Sequence, residues 1–406
     1  MLAVSRTLLL LGGSRYLMPV IEAARELGAE AITADYLPDN YAHAFSDGYR
    51  NVSIVDREAV LACAEEVGAD GIMSFAADPG VVSAAWAAER LGLPFQGPYE
   101  SVCTLQDKQR FRAFLREHGF NCPEARVFAS AAEAAGAAES LPYPAIAKPV
   151  DSAGSKGCSR VEGPEGLRAA VEHALSFSRG GRCIVERFLE KAGDSSDADG
   201  FLVGGEFRCV SFTSQLFDPA CPNPYAPAAY EMPASMPAWA QGELVSELQR
   251  LAGLLGLRDG LFNIETRVAS DGRPYIMELT PRGGGNRLSE MLRLATGGRC
   301  DLVRASVRAA LGMPAGDLAM PEYDGLWYQQ ILHSEHEGAF RGVRYAPGFR
   351  EAHVADEQIW VSPGERVEAF SGANHAFGSV MLRFDSQGEL DAFCADPSRF
   401  MEAEVG

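Results

Sequence analysis

Asn263-Ile264-Glu265, followed further on by Met277-Glu278-Leu279-Thr280-Pro281-Arg282, decides how this chain is read. Residues 261–268 and 273–279 read as two strands joined through Asp271-Gly272, a dipeptide suited to a tight hairpin. If they pair, Glu265 and Glu278 occupy inward-facing positions of neighbouring strands, with Ile264, Ile276 and Leu279 alternating beside them. Buried carboxylates held side by side repel strongly unless a cation lies between them. Hard oxygen ligands suit Mg²⁺, which prefers a couple of carboxylates and completes its shell with phosphate oxygens and water. The competing reading is an exposed hairpin whose glutamates face water.

Working outward, the strand Pro144-Ala145-Ile146-Ala147-Lys148 ends just before Pro149 and runs into Asp151-Ser152-Ala153-Gly154-Ser155-Lys156-Gly157. Small residues let a loop backbone approach phosphate closely, and successive N–H groups form an anion nest. Lys148 sits where an apolar stem presents one ammonium into a cleft, and Lys108 is a second cation further upstream. The loop lacks the G-K-[ST] frame of a Walker A motif. Cys183-Ile184-Val185-Glu186-Arg187-Phe188-Leu189 is a strand entering a hinge. Such a hinge offers backbone groups to the edge of an adenine, and Phe188 and Leu189 can cover its faces. Asp194, eight residues past Glu186, could reach ribose hydroxyls, although apolar strands ending in Glu-Arg are common and this segment alone favours a plain strand. With phosphate in view, Arg282 reads as a guanidinium fork beside a transferred phosphoryl group.

The composition agrees with a globular enzyme and narrows its partners. The 406 residues are 47% hydrophobic and 22% charged, enough for sizeable cores in two or three domains. With 55 acidic residues against 36 basic ones the formal charge is −19. So acidic a chain repels nucleic-acid backbones and anionic lipid, and an anionic substrate needs a local cluster of cations and N–H groups. The nine cysteines are scattered without a C-x-x-C pair, as in reduced intracellular proteins. The apolar run at 8–11 is too short for a signal peptide, and no stretch reaches the length of a membrane span. A cytoplasmic location is the default expectation.

Along the chain, strands at 8–11, 31–34 and 71–75 alternate with helices at 16–27, 57–67 and 80–91, which predicts a parallel doubly wound sheet over roughly 1–100. Gly12-Gly13 is not a full dinucleotide fingerprint. Beyond 104 the reading is a helix at 107–118, a strand at 125–128, an Ala-rich helix at 130–140, strand 144–148, helix 164–178 and strand 182–186. An acidic loop at 193–200 precedes a hairpin at 200–204 and 207–214, and 218–237 is Pro-rich and irregular, the kind of long loop that is usually functional. Helices at 238–255, 286–296 and 300–311 flank the carboxylate hairpin. From about 320 the pattern is mostly β, at 326–332, 350–354, 357–361, 366–370 and 378–384, with a closing helix at 388–394.

Taken in chain order, Asp107-Lys108, Lys148-Pro149, Gly154-Ser155-Lys156-Gly157, Glu186-Arg187-Phe188-Leu189, Glu265 and Glu278-Leu279-Thr280-Pro281-Arg282 resemble the ATP-grasp superfamily. That superfamily includes biotin carboxylase, D-alanine–D-alanine ligase and enzymes of purine biosynthesis, and the resemblance covers about residues 1–315. It implies an α/β and α+β protein: a Rossmann-like pre-domain (1–103), an ATP-grasp domain (104–315, lid-like subdomain about 125–190) and a small β-rich C-terminal domain (316–406). It also implies ATP and Mg²⁺ as cofactors, with Mn²⁺ as a substitute. Lys108 and Lys148 would contact the phosphates, and Ser155, Lys156 and Gly157 would close over their outer end. Glu186, Arg187, Phe188 and Leu189 would hold adenine, and Asp194 the ribose. Glu265 would hold one metal ion and Glu278 would bridge two. Thr280 stands where the family has an Asn ligand, which puts the second metal in question, and Asp194 stands where Glu is commoner. Lys148 and Arg282 would act in catalysis.

The reaction so implied is ADP-forming: a substrate carboxylate takes the γ-phosphoryl group, and an amine attacks the acyl phosphate to give an amide. The partners are small-molecule carboxylates and amines, without nucleic acid or membrane, and a homodimer is allowed for without the oligomer being fixed. Rival readings are a bicarbonate-using carboxylase, a nicotinamide-dependent oxidoreductase and a nucleotide-binding protein without turnover. His333-Ser334-Glu335-His336 lacks the further spaced ligands of a zinc motif. Trp86, Trp239, Trp327 and Trp360 read as packing residues. Ser74–Asp78 and the loop carrying Asn223, Tyr225, Tyr230 and Glu231 are candidate walls of the carboxylate pocket.

Overall fold

The computed structural model describes residues 6–152, 154–221, 223 and 225–406. Ala153 of the Gly/Ser loop, Pro222 and Pro224 of the irregular loop, and Met1–Ser5 lie outside the described residues.

The run Leu8–Leu11 is wholly buried, because its strand, Arg6–Leu11, sits inside a parallel sheet covered on both faces. The order is Gly48–Asn51, Ala29–Asp35, Arg6–Leu11, Gly71–Ser74. Leu9 and Leu11 pack with Val60, Ala84 and Ala88 from helices Arg57–Glu66 and Asp78–Leu91. Leu8 and Leu10 face the other way, toward Val20 and Ile21 of Met18–Glu26 and toward Leu292 and Val303 of two helices from later in the chain. That second layer fixes the N-terminal sheet against the rest of the molecule.

Residues around 125–187 fold over a separate small core. Four antiparallel strands in the order Ala125–Phe128, Cys183–Arg187, Ala145–Pro149, Ser159–Val161 carry helices Ala131–Ala137 and Pro164–Ser176. Facing it is an eight-stranded antiparallel sheet: Pro274–Thr280, Gly260–Val268, Ser195–Val203, Glu206–Phe217, Pro227–Met232, Leu326–Leu332, Gly378–Phe384, Val354–Ile359. Helix Ala238–Leu255 and the apolar face of Lys108–Glu117 (Phe111, Leu115) pack on it. Because Leu326–Leu332 pairs with Pro227–Met232, strands from the C-terminal β-rich segment belong to the same sheet as the carboxylate hairpin.

Several local expectations need correction. The acidic stretch expected as a loop at 193–200 enters the long strand Ser195–Val203; Asp, Ser and Gly disfavour strands, but a place between two long neighbours overrides that preference. The irregular segment contains strand Pro227–Met232. Residues expected as a strand at 350–354 form the short helix Phe349–His353 behind Gly348 at φ +77°, and only Arg366–Val367 of 366–370 is a strand. Among the described residues no helix is long and apolar enough to cross a membrane.

Candidate active site

Strand register sets up the site. Gly260–Val268 pairs with Pro274–Thr280 on one side and Ser195–Val203 on the other. Asp197, Glu265 and Glu278 therefore form one row across three strands, and Asp199, Asn263 and Thr280 the next. Burial and the neighbouring Glu278 charge raise the Glu265 pKa. Burial also pushes Glu278 up, but Lys108, Arg282 and Lys148 outweigh it and hold that carboxyl below its usual value. Burial and then the Asp199 charge push Asp197 up to about 7, against an Asn263 amide that donates to Asp197 Oδ1 at 2.7 Å. Asp199 is also raised by burial, while accepting from the Ser289 hydroxyl and from the Gly284 N–H at 3.0 Å. Thr280, 1% exposed, has its hydroxyl 3.5 Å from Glu278 Oε1.

Cations close the opposite side. Asp107 caps helix Lys108–Glu117 by accepting from the Arg110 N–H, which sets Lys108 in the first turn. Its ammonium donates to Ser152 O at 2.7 Å. Burial alone would favour the neutral amine, yet Glu278 chiefly, then Cys158 and Asp78, raise its pKa, so the charge persists. Lys148 ends strand Ala145–Pro149 and lies 2.7 Å from Glu186 Oε2. Arg112, one turn after Lys108, takes Glu186 Oε1 at 2.8 Å and donates to Met277 O at 2.9 Å. Glu186 is 1% exposed; burial would raise its pKa, but Arg112 and Lys148 bring it down to about 2. Both lysines also act on Glu265 and Glu278. The cations from the middle of the chain and the two late carboxylates thus share one site.

Around this centre the remaining expected residues are placed as follows. Gly154, Ser155 and Gly157 all have positive φ, and the Ser155 hydroxyl donates to Tyr225 O at 3.2 Å. Lys156 is exposed. A Cβ on Gly157 would stand 3.0 Å from the Phe177 side chain, so glycine is needed there on two counts. In the hinge, the Phe188 N–H donates to Pro144 O and the Leu189 carbonyl accepts from Arg267, while the Leu189 N–H has no partner among the described residues. One face of Phe188 carries Arg160 at 4.3 Å. Arg187 points instead toward Asp271, 3.8 Å away. Asp194 accepts from Ser235 Oγ at 3.0 Å. Arg282 is buried in a bidentate pair with Asp78, both bonds 2.9 Å, and gives its remaining arm to Gly283 O. This fork joins the carboxylate hairpin to the first helix turn after Ser74–Ala77.

The family model of the ATP-grasp domain matches residues 105–286, the span holding every one of these groups except Asp78 and Ser289. Over that span the chain is similar to the ATP-grasp domain family. Two solved structures superpose on it over nearly its whole length: an L-amino acid ligase from Bacillus licheniformis (TM-score 0.79, 19% identity, covering 99% of each chain) and a phosphoribosylglycinamide synthetase from Anaerococcus prevotii (TM-score 0.77, 18% identity, covering 99% of this chain and 100% of that one). At that identity they show the ATP-grasp fold. Among curated proteins, carnosine synthase 1 of Gallus gallus is 27% identical over 351 residues, which are 80% of this chain and 37% of that protein. The carbamoyl phosphate synthase large chain of Halomonas eurihalina is 25% identical over 395 residues, 91% of this chain and 35% of that one. The chain therefore spans little more than a third of the length of these two relatives.

Within this candidate site, the sequence reading does not single out Arg112, Asp197 or Asp199, and it gives Asn263 no role. Arg112 had a visible signal: it follows Lys108 by one helical turn and shares its face. Asp197 and Asp199 alternate at strand spacing, a signal hidden by the surrounding Ser and Gly. The donor set fits a divalent cation: two carboxylates opposite each other in an antiparallel pair, one with its pKa raised by the other's charge, are relieved by positive charge between them.

Proposed function

We propose that this chain is an ADP-forming ligase that activates a small-molecule carboxylate with ATP and joins it to an amine through an amide bond. The observation that carries this reading is the convergence of Lys108 and Lys148 on Glu265 and Glu278, with Lys108 also donating to Ser152 O just before the Gly154–Gly157 turn. Glu265 and Glu278 would hold Mg²⁺, with the Thr280 hydroxyl beside them. When bound, that ion offsets the charge of the phosphate oxygens and aligns them for in-line transfer. Lys108 and Lys148 bind the phosphates, and the Gly154–Gly157 turn covers their outer end. The Leu189 N–H, without a partner among the described residues, suits an adenine edge, the remaining face of Phe188 and the Leu189 side chain suit its ring, and Asp194 suits the ribose.

In the first step a carboxylate oxygen forms a bond to the γ-phosphorus while the bond to the ADP oxygen breaks. In the second, an amine attacks the acyl carbon and phosphate leaves. Arg282 stands next to Glu278, where its positive charge steadies the transferring group. The relatives, an L-amino acid ligase and a carnosine synthase among them, support a carboxylate–amine reaction. The test is ADP release with paired carboxylates and amines, with hydroxylamine in parallel to trap acyl phosphate as a hydroxamate. Turnover that needs bicarbonate and no other carboxylate would replace this reading with a carboxylase. ATP binding with no turnover under any pairing would replace it with a nucleotide-binding role.

A further inference from the structure

Asp218 follows the last residue of strand Glu206–Phe217, and His333 follows the last residue of Leu326–Leu332. Both strands run antiparallel to Pro227–Met232, which lies between them, so both end at the same edge of the eight-stranded sheet. Cys221, 5% exposed, joins them from the loop that crosses this edge. One ligand atom each from Asp218, Cys221 and His333 lies within 4.8 Å of the other two. His333 Nε2 is 3.1 Å and Cys221 Sγ 3.3 Å from the same oxygen, Asp218 Oδ2.

The hydrogen bonds around the cluster select a chemistry. His333 Nδ1 lies 2.7 Å from Ile331 O, an acceptor, so Nδ1 carries a proton and Nε2 is the nitrogen turned to Asp218 Oδ2. That 3.1 Å contact takes either a second ring proton or a metal ion, and Cys221 Sγ beside the same carboxylate oxygen supplies the third donor an ion needs. The Phe370 ring, 4.5 Å from the imidazole centroid, holds the ring in place. A histidine whose far nitrogen donates to a backbone carbonyl is the usual state of a metal-bound imidazole. Thiolate, imidazole and carboxylate together match Zn²⁺ in donor type, with a fourth position left over. A cysteine nucleophile does not fit, because the thiol meets the carboxylate and not the imidazole.

We propose that Asp218, Cys221 and His333 form a Zn²⁺ site separate from the Glu265/Glu278 centre. Thr213 pairs with Asp197, and Asp218 lies further along the same chain direction, on the order of 15 Å away at about 3.3 Å per residue. The ion would pin the loop whose Tyr225 carbonyl receives Ser155 and whose Asn223 amide donates to Ser371 O at 3.1 Å. It would thereby steady the support of the glycine-rich turn.

The test is metal binding itself and does not depend on the ligase reading. After chelator treatment, the whole chain is titrated with Co²⁺ alone and then with Zn²⁺ in competition, in the presence of excess Mg²⁺. The wild type is expected to take up one Co²⁺ with a thiolate-to-metal charge-transfer band, displaced by one equivalent of Zn²⁺. Cys221→Ser should lose the band, and His333→Ala should bind Zn²⁺ at least about 10- to 100-fold more weakly. His336→Ala and Glu278→Gln should bind as the wild type does, and Cys221→Ser should melt with the wild type in chelator, showing that it folds. A wild type without a charge-transfer band, or a band that survives Cys221→Ser, overturns the site.

Discussion

Replacing Glu186 by Gln removes one negative charge from between two buried cations while keeping shape and one acceptor. Arg112 is 3% exposed and Lys148 12%, so neither can recover its hydration without local opening. Breaking such a buried arrangement from one side costs about 3–5 kcal/mol. The pKa offers an independent figure: a carboxyl held at about 2 instead of 4.5 corresponds to about 3 kcal/mol at neutral pH. The sign follows from the direction of the shift. A depressed carboxyl stabilises the fold fully above its unfolded pKa, and that contribution fades as pH falls from 4.5 toward 2. With unfolding entropy of about 2.1 cal/mol/K per residue, a cooperative 406-residue unit loses roughly 4–6 °C for ~3–5 kcal/mol. Thermal melts of wild type and Glu186→Gln should therefore differ by about that much at pH 7, and by less than half of it near pH 3. A variant melting within about 1 °C of wild type at pH 7, or a deficit unchanged at pH 3, would refute the buried triad.

Other consequences are as direct. Burial and the Asp199 charge raise Asp197 to about 7, so the fold holds that proton and loses stability as pH rises from about 4 through 7. Melts of Asp197→Asn should exceed wild type at pH 8 and converge with it only below about pH 4; equal pH profiles count against the assignment. Glu278→Gln relieves repulsion on Glu265 but takes the counter-charge from buried Lys108 and Arg282, so it should melt somewhat below wild type yet remain folded while phosphate release falls by at least ~100-fold. Retained turnover would contradict the metal role. Gly157→Ala places a side chain at φ +72° and against Phe177, a local cost of about 1–2 kcal/mol. Its steady-state kinetics should show a several-fold rise in KM for ATP with little change in Tm, and an unchanged KM would exclude the turn from the nucleotide site.

Much of this site was legible because its parts lie in strongly patterned segments. Helix 238–255 and strands 125–128, 326–332 and 378–384 were expected with the bounds observed, since apolar periodicity alone decides them. Lys148, Glu265 and Glu278 were legible because each ends or interrupts an alternating strand. What stayed hidden depends on contacts far apart in the chain. Nothing local marks Asp78 as the partner of Arg282, 204 residues later, nor Glu186 as the counter-ion of Arg112 and Lys148. Ser195–Val203 was unreadable for a different reason: its neighbours stabilise a sequence that would not form a strand alone. Continuity of the C-terminal strands with the central sheet is likewise set by pairing across the Pro-rich segment.

The claim beneath the whole account is that Lys108 and Lys148 reach across a bound nucleotide to a cation held by Glu265 and Glu278. Calorimetric titration of ATP into wild type and Glu278→Gln, each with Mg²⁺ and with EDTA, measures that linkage. Wild type should bind MgATP more tightly than metal-free ATP by about 10- to 100-fold, and Glu278→Gln should lose most of that difference. Equal affinity with and without Mg²⁺ in the wild type, or an undiminished Mg²⁺ effect in Glu278→Gln, would contradict it.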